Sequence, residues 1–263
     1  MVNLRIPGPI PVDDEILHAM SSPMINHRGP EFEELLYGTT KSLKKVFSTN
    51  NDLYIITGSG TSAMEAAVVN TLSPGDPVLA VSVGSFGDRF AGIAQAYGAK
   101  VTNLNFDWGT AADPEEIRNT LKNQPEIKAV LVTHNETSTG VTNDLEAISK
   151  VVKNEFNKIL LVDAISSLGC LPLSVDAWHC DMVGTSSQKG FMIPPGLAFI
   201  SVSPHAWEMY KQSTMPRYYF DLATAEQYLR KGQTPWTPNL SIFYALDIAL
   251  DRMLTEGMDN IFE

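Results

Sequence analysis

Cysteine is scarce in this sequence. Cys170 and Cys180 are its only two, and no Cys-x-x-Cys pair occurs. A disulfide framework is therefore excluded, and two small buried or half-buried thiols are expected. Basic charge is also in short supply. Lys and Arg number 19 against 30 Asp and Glu, a net charge of −11 without a basic run. That balance argues against nucleic acid or an anionic membrane as partner. Long hydrophobic runs are missing. The longest, over residues 159–173, is broken by Asp163, Ser166 and Ser167 and is too short and polar to span a bilayer. The first 12 residues have no apolar core like that of a signal peptide, so the expected location is cytoplasmic. Repeats and low-complexity tracts do not occur. No His or Cys stands at ligand spacing from His134, and no metal site is expected.

What is present suits one large folded core: 263 residues, 44% of them hydrophobic. Pro7, Gly8, Pro9 and Pro11 exclude a helix at the start. Apolar residues recur at helical spacing over 31–47. Strands and helices then alternate. Strands are expected over 53–57, 77–83, 100–104, 129–133, 159–162 and 196–202. Helices are expected over 61–72, 89–97, 114–122, 144–156, 204–211 and 240–254. Strands that are apolar throughout, with helices between them, predict a three-layer α/β/α fold with a mainly parallel sheet.

In such a sheet ligands bind at the C-terminal strand ends, and polar clusters fall there. Thr57-Gly58-Ser59-Gly60-Thr61-Ser62-Ala63 joins a strand to a helix and offers a sharp turn and free N–H groups to an anion. Ser62 and Glu65 fit a capping box. The segment also matches Gly-x-Gly-x-x-Ala, but the acidic residue that a dinucleotide site needs some 20 residues later is missing. Phe86 lies between Gly84 and Gly87, as a core residue or as a stacking surface for a flat ligand. Residues 134–140, His-Asn-Glu-Thr-Ser-Thr-Gly, are dense in donors and acceptors. Asp163 ends a buried strand and needs a donor or cationic partner, whether a helix cap, an ion pair or a ligand. Lys189 follows Thr185-Ser186-Ser187-Gln188, and a lysine in that setting can form a Schiff base with a carbonyl. An anion cradle, a stacking ring, a buried carboxylate and a sheltered lysine together suit pyridoxal 5′-phosphate (PLP).

In order and spacing these motifs resemble the class V aminotransferases of the fold-type-I PLP enzymes, above all the alanine–glyoxylate and serine–pyruvate aminotransferases. The resemblance implies the large domain of that fold. It implies that Lys189 carries PLP as a Schiff base and moves the proton, and that Asp163 pairs with the pyridine nitrogen. Phe86 would stack on the ring, where Trp is often found. Thr137 would bond the phenolic oxygen, and Ser59, Gly60, Thr61 and Gln188 would hold the phosphate. Gln233, Thr234 and Thr237 resemble the part lent by a neighbouring subunit, which implies a homodimer. Asn26 and Arg28, in Asn-His-Arg-Gly, resemble a substrate-side motif.

The implied activity is transfer of an amino group from an amino acid such as alanine or serine to a 2-oxo acid such as glyoxylate or pyruvate, by a ping-pong route. The expected organisation is an extended arm over 1–20, a PLP-binding large domain over 21–238, and over 239–263 the start of a helix linking to a C-terminal small domain that this sequence lacks. That domain carries the family's arginine for the substrate carboxylate. A PLP-binding but catalytically impaired fragment is therefore an alternative. So is a PLP lyase of the cysteine desulfurase type, although Gln188 and Phe86 stand where those enzymes usually have His.

Overall fold

A computed structural model of the chain describes residues 4–263. The expected extended arm ends early. Asp13 accepts the Glu15 N–H and caps helix α1, Asp14–Ala19. Pro30 opens α2, Pro30–Val46. The alternating region follows: β1 (Asp52–Gly58), α3 (Gly60–Thr71), β2 (Pro77–Ser82), α4 (Ser85–Ala96), β3 (Lys100–Asn105), α5 (Pro114–Asn123) and β4 (Ala129–Thr133). Asp113 caps α5 as its position before Pro114 predicts. The 134–140 loop folds into a small hairpin of β5 (Asn135–Glu136) and β6 (Val141–Thr142). The single helix expected over 144–156 divides into α6 (Leu145–Ser149) and a π-helical turn, Lys150–Glu155. The chain continues through β7 (Ile159–Asp163), β8 (Met182–Ser186), β9 (Gly196–Val202), α7 (Pro204–Tyr210), α8 (Leu222–Leu229), α9 (Leu240–Glu256) and α10 (Met258–Phe262).

Seven strands form one sheet in the order β1-β9-β8-β7-β4-β2-β3. Only β9 runs against its neighbours, β1 and β8. Successive residues of a strand point to opposite faces, and the sheet sorts its apolar residues accordingly. Leu53, Ile55, Val130, Val132, Leu160 and Val162 meet α2, α5, α6 and α9 on one face. Tyr54, Ile56, Ala129, Leu131, Ile159 and Leu161 meet α3, α4, α7 and α8 on the other. This is the expected α/β/α sandwich. Within the chain α9 belongs to the core: Phe243 is buried and packs edge-on against Phe32 at 5.3 Å.

Antiparallel β9 leaves β1 parallel to β8, so the other six strands finish on one edge of the sheet. Their last residues are Gly58, Ser186, Asp163, Thr133, Ser82 and Asn105. At the far edge a buried ionic knot closes the sandwich. Asp181 accepts Lys153 Nζ at 2.5 Å, Ser203 Oγ at 2.9 Å and Leu160 N–H at 2.8 Å.

Candidate active site

Asp163 sits near the centre of the edge where the six parallel strands end. It lies in register with Thr133 on β4 and with Gly184 on β8. Among the described residues its carboxylate has one hydrogen bond, from Ile165 N–H to Oδ1 at 2.9 Å, and no ion pair. Burial raises its pKa to about 7, against the lowering effect of the Ile165 N–H and with help from the nearby Glu136 charge. Nearby His134 is no source of compensating charge, because burial lowers its pKa to about 4. The carboxylate thus suits a cationic donor, which no described residue supplies through an ion pair or hydrogen bond.

Lys189 follows β8 by three residues and is half-buried. Desolvation lowers the proton affinity of its amine, opposed by the Asp163 charge. Its Nζ donates to Pro7 O at 3.4 Å, which brings the N-terminal arm to the lysine. A cavity of about 560 Å³ opens beside it, lined by Ile10, Met192, Met253 and Ile261 among others. Cys170 is in the same wall and is exposed, contrary to the buried or half-buried thiol expected there; Cys180 is buried. Cys170 is held at the surface by the turn that follows Ser167, whose carbonyl accepts its N–H at 2.9 Å.

The anion cradle lies at the start of α3. Ser59 is the N-cap, but its side chain makes no capping bond. The capping box expected at Ser62 and Glu65 does not form. Ser62 Oγ turns back to Ser59 O at 2.6 Å, and Glu65 accepts the Tyr97 hydroxyl at 3.2 Å. Gly60 is packed so closely that a Cβ there would lie 3.1 Å from Ser186 Oγ and 2.5 Å from Ile165 Cδ1. Ser186 Oγ and Gln188 Oε1 are both buried without a partner. An uncapped helix N-terminus beside unpartnered buried polar atoms fits a phosphate group. Thr61 and Thr137 are half-buried, and neither side chain bonds within the described residues. The residues present fit PLP at both ends, phosphate and ring nitrogen.

Phe86 is in the first turn of α4, which starts at Ser85, four residues ahead of the expected helix start. It is half-buried, with the Arg89 guanidinium 4.7 Å from its ring centre. Glu136 fixes that turn, and the sequence reading assigned it no role. Its Oε2 accepts the Phe86 N–H at 3.0 Å and the Gly87 N–H at 3.1 Å. Ser186 is the other site residue without a role in that reading. Both belong to motifs visible in the sequence, and an acid inside a loop of small hydroxyl residues was the available signal for Glu136.

Five of the expected residues form a separate group. Arg28 donates to Gln233 Oε1 at 2.9 Å, Thr234 O at 2.8 Å and Pro235 O at 3.2 Å. Asn26 Oδ1 holds the Arg28 N–H at 3.0 Å, and Thr237 is exposed in the same stretch. Trp236 and Tyr219 tie this stretch to Thr57 O at the end of β1. Among the described residues none of the five hydrogen-bonds to Lys189 or Asp163.

The family described as Aminotransferase class-V matches residues 14–263 of this sequence. The chain belongs to the class-V aminotransferases. Membership makes it a PLP-dependent transaminase, and the groups at the site fit that cofactor. A protein from a Synechococcus strain named soluble hydrogenase, small subunit is 44% identical over 99% of this chain and 68% of its own. The L-aspartate–glyoxylate aminotransferase of Paracoccus denitrificans is 39% identical over 98% and 66%. The crystal structure of an alanine–glyoxylate aminotransferase from Nostoc superposes with a TM-score of 0.93 at 32% identity, over 98% of this chain and 69% of that one. The chain thus spans about two thirds of the length of these class-V relatives. A cysteine desulfurase from Thermococcus onnurineus, at 17% identity and a TM-score of 0.71, shares the fold alone. Among the described residues no helix is long and apolar enough to cross a membrane.

Proposed function

We propose that this class-V aminotransferase takes an amino group from a small amino acid such as alanine or serine and gives it to a 2-oxo acid such as glyoxylate or pyruvate. The observation that carries the reading is the placement of Asp163 at the end of β7 and Lys189 just past the neighbouring β8, the acid buried without an ion pair among the described residues and the amine with lowered proton affinity. PLP supplies the electrophilic carbonyl and the electron-withdrawing ring when bound. Asp163 would hold the ring nitrogen's proton, and burial keeps water from competing for that bond. Lys189 would attach the cofactor through Nζ and, once released, carry the proton between carbon atoms of the reacting pair. Ser59, Gly60, Thr61 and Gln188 would bind the phosphate, Thr137 the ring hydroxyl and Phe86 one face of the ring. The names of the Nostoc and Paracoccus proteins support an amino acid and glyoxylate as the exchanging pair. A cavity of about 560 Å³ beside Lys189 holds a substrate of that size.

A homodimer belongs to the same reading. Gln233, Thr234 and Thr237 would serve the neighbouring subunit's phosphate site. Tyr218, 78% exposed, stacks on Trp236 at 5.0 Å in that stretch and gives a contact surface to cover. Free thiols and an acidic surface suit the cytoplasm as its location.

The reading that the chain binds PLP without turnover rests on its arginines. Arg28 is engaged by Gln233 and Thr234, and Arg252 in the cavity wall is paired with Asp13 and Glu15. Asn26 and Arg28 grip a substrate carboxylate only if those bonds exchange. Incubation of the PLP-loaded protein with L-serine or L-alanine and glyoxylate decides between the two. Glycine should accumulate with multiple turnovers. PLP bound stoichiometrically with no glycine formed favours the non-catalytic reading.

A further inference from the structure

Ser82 Oγ ties Gly84 and Asp88 together locally, but the first N–H groups of the turn that carries Phe86 are not capped by the adjacent sequence. Gly84 precedes the helix and has no side chain to cap it, and Ser85 makes no capping bond either. The cap comes from 50 residues away. Glu136 is fully buried, 0% exposed, and its carboxylate spans two segments. Oε2 accepts the N–H groups of Phe86 and Gly87; Oε1 accepts the Ser138 N–H at 3.0 Å and the Ser138 hydroxyl at 2.6 Å. Ser138 Oγ then accepts the Ser85 N–H at 3.0 Å. Gly84 is pressed against this group: a Cβ there would lie 2.7 Å from Glu136 Cγ and 2.5 Å from Ser138 Oγ.

We propose that Glu136 is a positioning residue that acts through Phe86. Its carboxylate locks the first turn of α4 to the loop after β4, and so fixes the aromatic ring at the edge where PLP binds. The inference rests on the aminotransferase reading above, which places Phe86 on the cofactor. Three facts favour positioning over simple stability. First, an anion at a helix N-terminus needs no burial to stabilise it, yet this one is fully buried between two site loops. Second, both of its oxygens bond to backbone N–H groups, one set next to Phe86 and the other next to Thr137. Third, a bond to a backbone N–H fixes the position of the chain itself, and a ring on the first turn moves with that chain.

Glu136→Gln keeps the shape and removes the charge. One amide oxygen cannot serve both sets of donors, and the amide N–H₂ faces donors rather than acceptors. The test compares native protein, Glu136→Gln, Phe86→Leu and the double variant, each titrated with PLP. Amide exchange at Phe86 and Gly87 is read first and should quicken in Glu136→Gln while β4 and β7 stay protected. The dissociation constant for PLP should rise about tenfold in Glu136→Gln, the equivalent of one charge-assisted hydrogen bond. The circular dichroism induced in bound PLP should fall as it does in Phe86→Leu. In the double variant both readouts should match Phe86→Leu alone, because Glu136 has nothing left to position. Two effects that multiply would overturn the inference, as would faster exchange with unchanged PLP affinity and dichroism. A native chain that leaves PLP free overturns the proposed function and this inference with it. A native chain that binds PLP while the effects multiply overturns this inference alone.

Discussion

At the residue scale the site is organised by two unsatisfied groups. Asp163 is a buried carboxylate with one hydrogen bond, and its raised pKa makes it a liability in the cofactor-free chain. The native state therefore holds a proton that the unfolded chain has released once pH exceeds the ordinary carboxylate value. Stability is fully present below about pH 4 and declines as pH rises through about 7, by an amount on the order of 4 kcal/mol for this group. Urea unfolding of PLP-free native protein and of Asp163→Asn, each at pH 4.5 and 7.5, isolates that share. The Asn variant should gain relative to native as pH rises. Parallel pH dependences would show that Asp163 is ionised without penalty. Lys189 and Asp163 were legible in the sequence because each is a charged residue among small polar or apolar neighbours at a strand end. Glu136 was not. Its role is a set of hydrogen bonds to backbone groups that lie 50 positions away, and no local pattern encodes them.

At the element scale the apolar strands and amphipathic helices were read from periodicity together with caps and breakers such as Asp113 before Pro114. The failures have physical causes. Strand β8, Met182–Ser186, carries Gly184, Thr185 and Ser186 and does not look like a core strand. It is buried because β7 and β9 flank it, and Met64 lies where a larger residue at 184 would collide. Helix α4 begins at Ser85 rather than 89 because its cap arrives from Glu136. Helix α8, Leu222–Leu229, buries only Leu222, so its apolar face is too weak a signal to find. The π-helical turn, by contrast, has an identifiable anchor. Lys153 is drawn to Asp181, which also bonds β7 at Leu160 and the α7 cap at Ser203. Asp181→Ala strands a buried ammonium and two donors and should cost about 3–5 kcal/mol. Chemical denaturation measures it; a cost under about 1 kcal/mol would show that the knot contributes little to stability.

At the scale of the whole molecule, the α/β/α sandwich and the common edge of six strands follow from the alternation of elements. The division of the site into two groups does not. Lys189, Asp163 and the start of α3 meet on one edge, whereas Arg28, Gln233 and Thr234 form their own network. Spacing along the sequence carries no sign of which residues share a pocket; only the family resemblance set Gln233, Thr234 and Thr237 apart as a neighbouring subunit's part. The dimer reading joins them across subunits. Tyr218→Glu places a charge on the exposed face of the aromatic stack without disturbing the core. Sedimentation should find native protein at twice the chain mass and the variant as a folded monomer with weakened PLP binding. A variant that stays dimeric would move the interface elsewhere.

The most direct test of the account is a visible absorption spectrum of the purified chain with PLP, before and after L-alanine, for native protein and for Lys189→Ala. The native spectrum should show a protein-bound cofactor band, and alanine should convert the cofactor to pyridoxamine phosphate recoverable from the denatured sample. Lys189→Ala should remain folded, attach no cofactor through borohydride reduction and show no conversion. A native band that ignores every amino acid, or a Lys189→Ala protein that still retains cofactor covalently, would contradict the assignment of Lys189 as the working amine.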